Sequence, residues 1–137
     1  MGLLYLDSSA LVKLVLAEPE TEALLGLLAA WPERISSALA RVEVLWAVRR
    51  AGDERAYRRA EEVLARVGLL RIDDAVLGAA ALLRPPELRT LDAVHLASAL
   101  SVGERLGGMV VYDFRLARAA ELSGVPVMAP GVPTESR

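Results

Sequence analysis

Four acidic residues, Asp7, Glu43, Asp92 and Asp113, stand in apolar or small-residue surroundings. Half of the other acids of the chain have a basic residue one helical turn away, the spacing at which side chains meet on a helix. Glu54 lies between Arg50 and Arg58, Asp53 follows Arg49 and Arg50, Glu62 is ringed by Arg58, Arg59 and Arg66, and Glu121 has Arg118. Glu43 instead has Leu39 and Ala40 before it and Trp46 and Ala47 after it. Asp7 follows Leu3-Leu4-Tyr5-Leu6, and Asp113 follows Met109-Val110-Val111-Tyr112; Asp92 has only Arg89 nearby. A carboxylate without a partner in apolar surroundings is costly, and a divalent cation would compensate it. Hard cations such as Mg²⁺ or Mn²⁺ prefer carboxylate, water and phosphate oxygens, which points to phosphoryl chemistry by an activated water.

The elements that would carry these acids alternate. Short apolar runs at Leu3–Leu6, 69–72, 109–112 and 125–128 read as strands, each followed or preceded by a segment of helical periodicity, and Arg34–Ser37 reads as a brief strand leading into the helix after it. The helices are expected at about 8–16, capped by Ser8 or Ser9, and at 20–31, 39–50, 54–67, from Asp73 or Asp74 to before Pro85, 91–106 and 114–123. Gly107-Gly108 reads as the stop of the penultimate helix. Strand–helix alternation implies an α/β fold with a parallel sheet covered on both faces, a three-layer α/β/α domain over residues 1–130 followed by a flexible tail, 131–137. Ligands of such sheets collect at the carboxyl ends of the strands, where Asp7 and Asp113 fall and where the helices bearing Glu43 and Asp92 begin.

Composition narrows the chemistry. A chain of 137 residues with 54% hydrophobic content supports one core. No uncharged apolar run approaches the roughly 18 residues of a spanning helix and no signal peptide is apparent, so a cytoplasmic protein is expected. The absence of cysteine excludes disulfides, thiolate catalysis and cysteine-ligated metals, and one histidine leaves little for imidazole-based zinc chemistry. A net charge of −2 gives no global basic footprint, so a polyanionic ligand would have to be held by local arginines and metal. Arg115, beside the last acid, is the first candidate for a phosphate contact. His95, one turn after Asp92, is expected to pack in the core or to hydrogen-bond Asp92, and Trp31 and Trp46 to serve core or interface. Apolar helix surface at 11–16 and 24–28 suits a dimer or a partner helix.

The segments Tyr5-Leu6-Asp7-Ser8-Ser9-Ala10-Leu11, Val42-Glu43-Val44, Leu91-Asp92-Ala93-Val94-His95-Leu96-Ala97 and Val111-Tyr112-Asp113-Phe114-Arg115-Leu116 together resemble the four signature segments of the PIN domain, in family order. The resemblance spans the chain up to Pro130 and is nearest to the VapC-type toxins of toxin–antitoxin pairs. It implies a Mg²⁺- or Mn²⁺-dependent endoribonuclease, a homodimer, and restraint by a cognate antitoxin protein. By this match Asp7, Glu43, Asp92 and Asp113 are the acidic site residues that hold metal, and Ser9 is the hydroxyl that helps position them. One position departs: Val111 stands where members of the family often have Thr or Ser, which takes away a hydrogen bond that the resemblance would otherwise imply.

Two other readings fit parts of the pattern. A small metal-dependent phosphatase or phosphoacceptor also places an aspartate after its first strand, but asks for a second Asp two residues on and a late lysine. Ser9 and a lone Lys13 stand against it. A catalytically inactive PIN-like scaffold or binding module would keep the fold without turnover, with Val111 as its support.

Overall fold

The computed structural model describes residues 2–133. Five strands, β1 (Leu3–Leu6), β2 (Arg34–Ser37), β3 (Gly68–Leu70), β4 (Leu106–Val110) and β5 (Val127–Met128), form one sheet in the order β3-β2-β1-β4-β5, and every pairing is parallel. Seven α-helices connect them: α1 (Ser8–Val15), α2 (Thr21–Leu28), α3 (Leu39–Ala51), α4 (Glu54–Ala65), α5 (Asp74–Ala81), α6 (Thr90–Leu100) and α7 (Phe114–Leu122).

β1 explains the layering. Side chains alternate faces along a strand, and all four of its residues are buried. Leu4 and Leu6 enter a core with residues of α1 to α4, including Leu11, Leu24, Val44 and Leu64. Leu3 and Tyr5 enter the other core with Leu96 and Ala99 of α6 and Leu116, Ala119 and Ala120 of α7. The expected three-layer α/β/α arrangement is therefore the observed one. Ser36, fully buried on β2, donates to the Leu6 carbonyl at 2.6 Å and ties the carboxyl ends of the two strands together.

Several boundaries differ from the sequence expectation, for physical reasons. Gly107 and Gly108 do not end α6; they lie inside β4. A Cβ at Gly108 would run into the Met128 methyl and stand 3.4 Å from the Pro126 carbonyl, so glycine there admits β5 alongside. α6 stops at Leu100, because Gly103, with φ +61, turns the chain into a short 3₁₀ segment, Gly103–Arg105. β3 likewise begins at Gly68 rather than after it, and α2 and α4 end earlier than expected. α4 does present arginines and glutamates outward, except that Arg59 reaches back to the Val15 carbonyl at 3.0 Å and satisfies the end of α1.

The apolar surface is also distributed otherwise than expected. Leu11, Val15, Leu24 and Leu28 are buried, so the first two helices are not the main exposed apolar faces. Val42 and Trp46, one turn apart on α3, are 54% and 50% exposed, and the Arg49 guanidinium lies over the Trp46 ring at 4.9 Å. Trp31 is half-buried against the first core. Pro130, the last residue before the expected tail, accepts from the Tyr112 hydroxyl at 2.8 Å, and residues 134–137 of that tail lie outside the described residues.

Candidate active site

The strand order reverses direction between β1 and β4, and this switch point opens the crevice where doubly wound sheets bind ligands. Asp7 follows β1 directly and Asp113 comes three residues after β4, so both stand at its mouth. Asp92 is in the first turn of α6 and Glu43 in the second turn of α3.

Asp7 is 6% exposed. It occupies the N-cap position of α1 without capping through its side chain, and Ser9 donates to its Oδ2 at 2.9 Å. The serines do not cap the helix as expected, because their hydroxyls serve carboxylates instead. Burial pushes the Asp7 carboxyl above its ordinary value; the charge of His95 and hydrogen bonds from Ser9 and the Ser8 backbone oppose this, and the Glu43 charge adds to it. Asp92 is also raised, first by burial and then by the charges of Asp7 and Asp113, against His95 and Arg89. The charges of Asp7 and Asp113 thus reach Asp92, and that of Glu43 reaches Asp7.

Asp113 departs from the reading of four carboxylates in apolar surroundings. It is exposed, and one of its oxygens accepts from the Leu116 amide at 2.9 Å, capping α7. The argument from a buried charge holds for Asp7 as far as lysine and arginine are concerned, its partners being Ser9 and His95, and in part for Asp92.

Glu43 has a partner that its helical neighbours do not reveal. Its Oε1 receives the Ser8 hydroxyl at 2.5 Å and faces His95 Nε2 at 2.6 Å. Burial raises its carboxyl, but the hydrogen bonds from His95 and Ser8, with the His95 charge, outweigh this and leave it below its ordinary value. His95 is 1% exposed and does not bond Asp92: Nδ1 faces the Tyr5 hydroxyl at 2.7 Å, and Nε2 also lies 3.1 Å from Ser8 Oγ and 3.8 Å from Asp7 Oδ1. Burial alone would lower the imidazole, yet the Glu43 hydrogen bond and the charges of Asp7, Glu43 and Asp92 raise it. Ser8, His95 and Tyr5 were not among the expected site residues. A single histidine inside the apolar run Val94–Leu96 was the available signal, since a buried ring must find polar partners.

The donor set fits a hard divalent cation: it offers carboxylate oxygens, it includes a buried acid with no lysine or arginine against it, and its members repel one another in the absence of a counter-charge. Among the described residues, no three Asp, Glu and His side chains are gathered tightly enough to hold an ion by themselves.

A doubly wound parallel sheet with acids at its switch point defines a small α/β protein that works at the carboxyl edge of its strands. The PIN domain model matches residues 4–122, and the chain belongs to the PIN domain family. Ribonuclease VapC46 of Mycobacterium tuberculosis is 48% identical over 130 residues, covering 95% of this chain and 99% of that protein. Ribonuclease VapC47 of the same species is 36% identical over 133 residues, covering 94% and 98%. Among solved structures, M. tuberculosis VapC20, described as a Sarcin-Ricin loop cleaving toxin, superposes with a TM-score of 0.72 at 18% identity, over 93% of this chain and 99% of that one. A toxin-antitoxin complex from Klebsiella pneumoniae contains a chain matching with a TM-score of 0.69 at 22% identity, over 92% and 96%. At these identities the structural likeness speaks to the fold.

Proposed function

We propose that the protein is the ribonuclease toxin of a toxin–antitoxin pair, hydrolysing RNA phosphodiester bonds internally with Mg²⁺ or Mn²⁺, and that it acts in the cytoplasm. The observation that carries the reading is Asp7: a buried carboxylate at the switch point, raised by burial and facing other acids, within a chain nearly half identical to a VapC ribonuclease.

Asp7, Asp92, Asp113 and Glu43 are the residues that would hold the cation. When bound, it makes a water more acidic and offsets the charge that builds on the phosphate. Ser9 fixes the Asp7 carboxylate by its hydrogen bond to Oδ2. Asp92, raised first by burial and then by the charges of Asp7 and Asp113, is a carboxylate that could accept a proton from attacking water. Exposed Arg115, two residues after Asp113, is positioned in sequence to bind a substrate phosphate, for which its planar fork is suited. Mg²⁺ sites commonly use one or two protein carboxylates together with waters and substrate phosphate oxygens, so a spread set of acids is compatible with this use. The partners of this reading are RNA, a cognate antitoxin and a second copy of the chain.

The test is Asp7→Asn in a cleavage assay with Mg²⁺, Mn²⁺ or EDTA. The wild type should cleave RNA only with metal. Because several kcal/mol of charge stabilisation correspond to about 10²-fold or more in rate, the variant should lose at least that much while keeping its circular dichroism spectrum. Wild-type protein without metal-dependent cleavage would leave the fold as a binding module.

A further inference from the structure

We propose that His95 is a positioning residue that acts through Glu43, with Tyr5 as its support. The inference rests on the metal-site reading above and deepens it.

Four elements meet in one hydrogen-bonded chain. Tyr5 of β1 is fully buried and sets its hydroxyl 2.7 Å from His95 Nδ1, and the two rings meet edge to face with centroids 5.9 Å apart. His95 of α6 places Nε2 2.6 Å from Glu43 Oε1 on α3, and Ser8 of α1 donates to the same oxygen. A neutral imidazole whose Nδ1 accepts the hydrogen bond of the Tyr5 hydroxyl carries its own proton on Nε2, and a charged imidazole carries one on both. In either state Nε2 donates to Glu43.

The consequence lies in how Glu43 is divided. Both donors converge on Oε1, and Oε2 has no protein donor among the described residues. One oxygen is anchored to the protein while the other remains available to a ligand. A glutamate has three rotatable bonds between backbone and carboxylate, and holding one oxygen in place removes much of that freedom before a cation arrives. The Tyr5 contact in turn fixes the rotation of the imidazole. Partners of ligating carboxylates have this effect elsewhere, and their loss weakens metal binding by about 10–100-fold.

The test compares two amides that divide the functions of the imidazole. In His95→Gln the amide nitrogen falls near the position of Nε2 and can still donate to Glu43; in His95→Asn it falls near Nδ1 and cannot. Calorimetric titration with Mn²⁺ should show His95→Gln within a few-fold of the wild type and His95→Asn weaker by about 10–100-fold. In a Glu43→Gln background the second change should add no further loss, because its effect passes through Glu43. Tyr5→Phe, which removes one hydroxyl from the far side of the ring, should weaken Mn²⁺ by a smaller factor, and it provides the measurement if His95→Asn does not fold. Equal Mn²⁺ affinity in the wild type and the soluble His95 and Tyr5 variants, or losses that add fully in the Glu43→Gln background, would overturn the role of His95 alone. A wild-type protein that takes up no Mn²⁺ would overturn the metal site and this role with it.

Discussion

Each carboxylate of the rim is governed by what touches it. Asp7 is buried and raised, Asp92 is raised by burial and then by its acidic neighbours, Glu43 is lowered by its donors, and Asp113 is exposed with one oxygen committed to a helix end. Ser9 acts on the first of these. Its hydroxyl favours the ionised form of Asp7 and fixes its orientation, so Ser9→Ala should push the Asp7 carboxyl further up and weaken Mn²⁺ at a given pH. The expected loss is about 10-fold in Mn²⁺ affinity and in kcat/KM, in line with other partners of ligating carboxylates. Urea unfolding of the metal-free variant should stay within about 1 kcal/mol of the wild type, the usual net value of one hydrogen bond. A large stability loss with unchanged metal affinity would assign Ser9 to folding alone.

At the scale of elements, helix starts do two jobs here. Asp53, Asp73 and Asp113 each cap a helix by accepting a backbone amide, from Arg55, Val76 and Leu116 at 2.9 Å. For Asp113 capping and cation binding can be separated, since Asn caps about as well as Asp but carries no charge. Asp113→Asn should unfold in urea within a few tenths of a kcal/mol of the wild type, yet lose most of its cleavage activity. Asp53→Ala, away from the crevice, should do the reverse, costing about 1 kcal/mol with activity unchanged. The same elements show what could be read from the chain alone. Strand–helix alternation, the parallel sheet, a helix start at Asp73 or Asp74 and the placement of Asp7 at a strand end followed from local pattern, because short apolar runs and capping residues act within a few positions. The boundaries around Gly68, Gly107 and Gly108 did not, since glycine marks both a chain break and a strand that another backbone approaches, and only the neighbour decides. The pairing of Glu43 with His95, 52 positions apart, was equally out of reach: periodicity shows that Glu43 lacks a partner on its own helix, not which helix supplies one.

At the scale of the whole molecule, the rim makes stability depend on pH and on metal in opposite senses. Asp7 and Asp92 have folded values raised above the ordinary 3.8, so the fold holds their protons more tightly than the unfolded chain, and the stability this gives is lost as pH rises through those raised values. His95, raised above 6.5, contributes stability that is present below 6.5 and lost as pH climbs through its folded value. Glu43 has the opposite sign, contributing above 4.5 and losing that contribution as pH falls through its lowered value. Metal-free protein should therefore melt at progressively lower temperature as pH rises through the raised values of Asp7, Asp92 and His95, since the contribution of Glu43 is already complete above 4.5. A cation needs the ionised carboxylates, so its contribution should grow over the same range. At a hundredfold excess over Kd, Mn²⁺ would add about 2.7 kcal/mol, a rise in Tm of roughly 6–12 °C for a domain of this size. Scanning calorimetry across this pH range, with Mn²⁺ and with EDTA, reads both slopes. The gap between the two melting curves should widen with pH in the wild type and close in Asp7→Asn; a gap that is constant or narrows would mean that Mn²⁺ is held somewhere other than this rim.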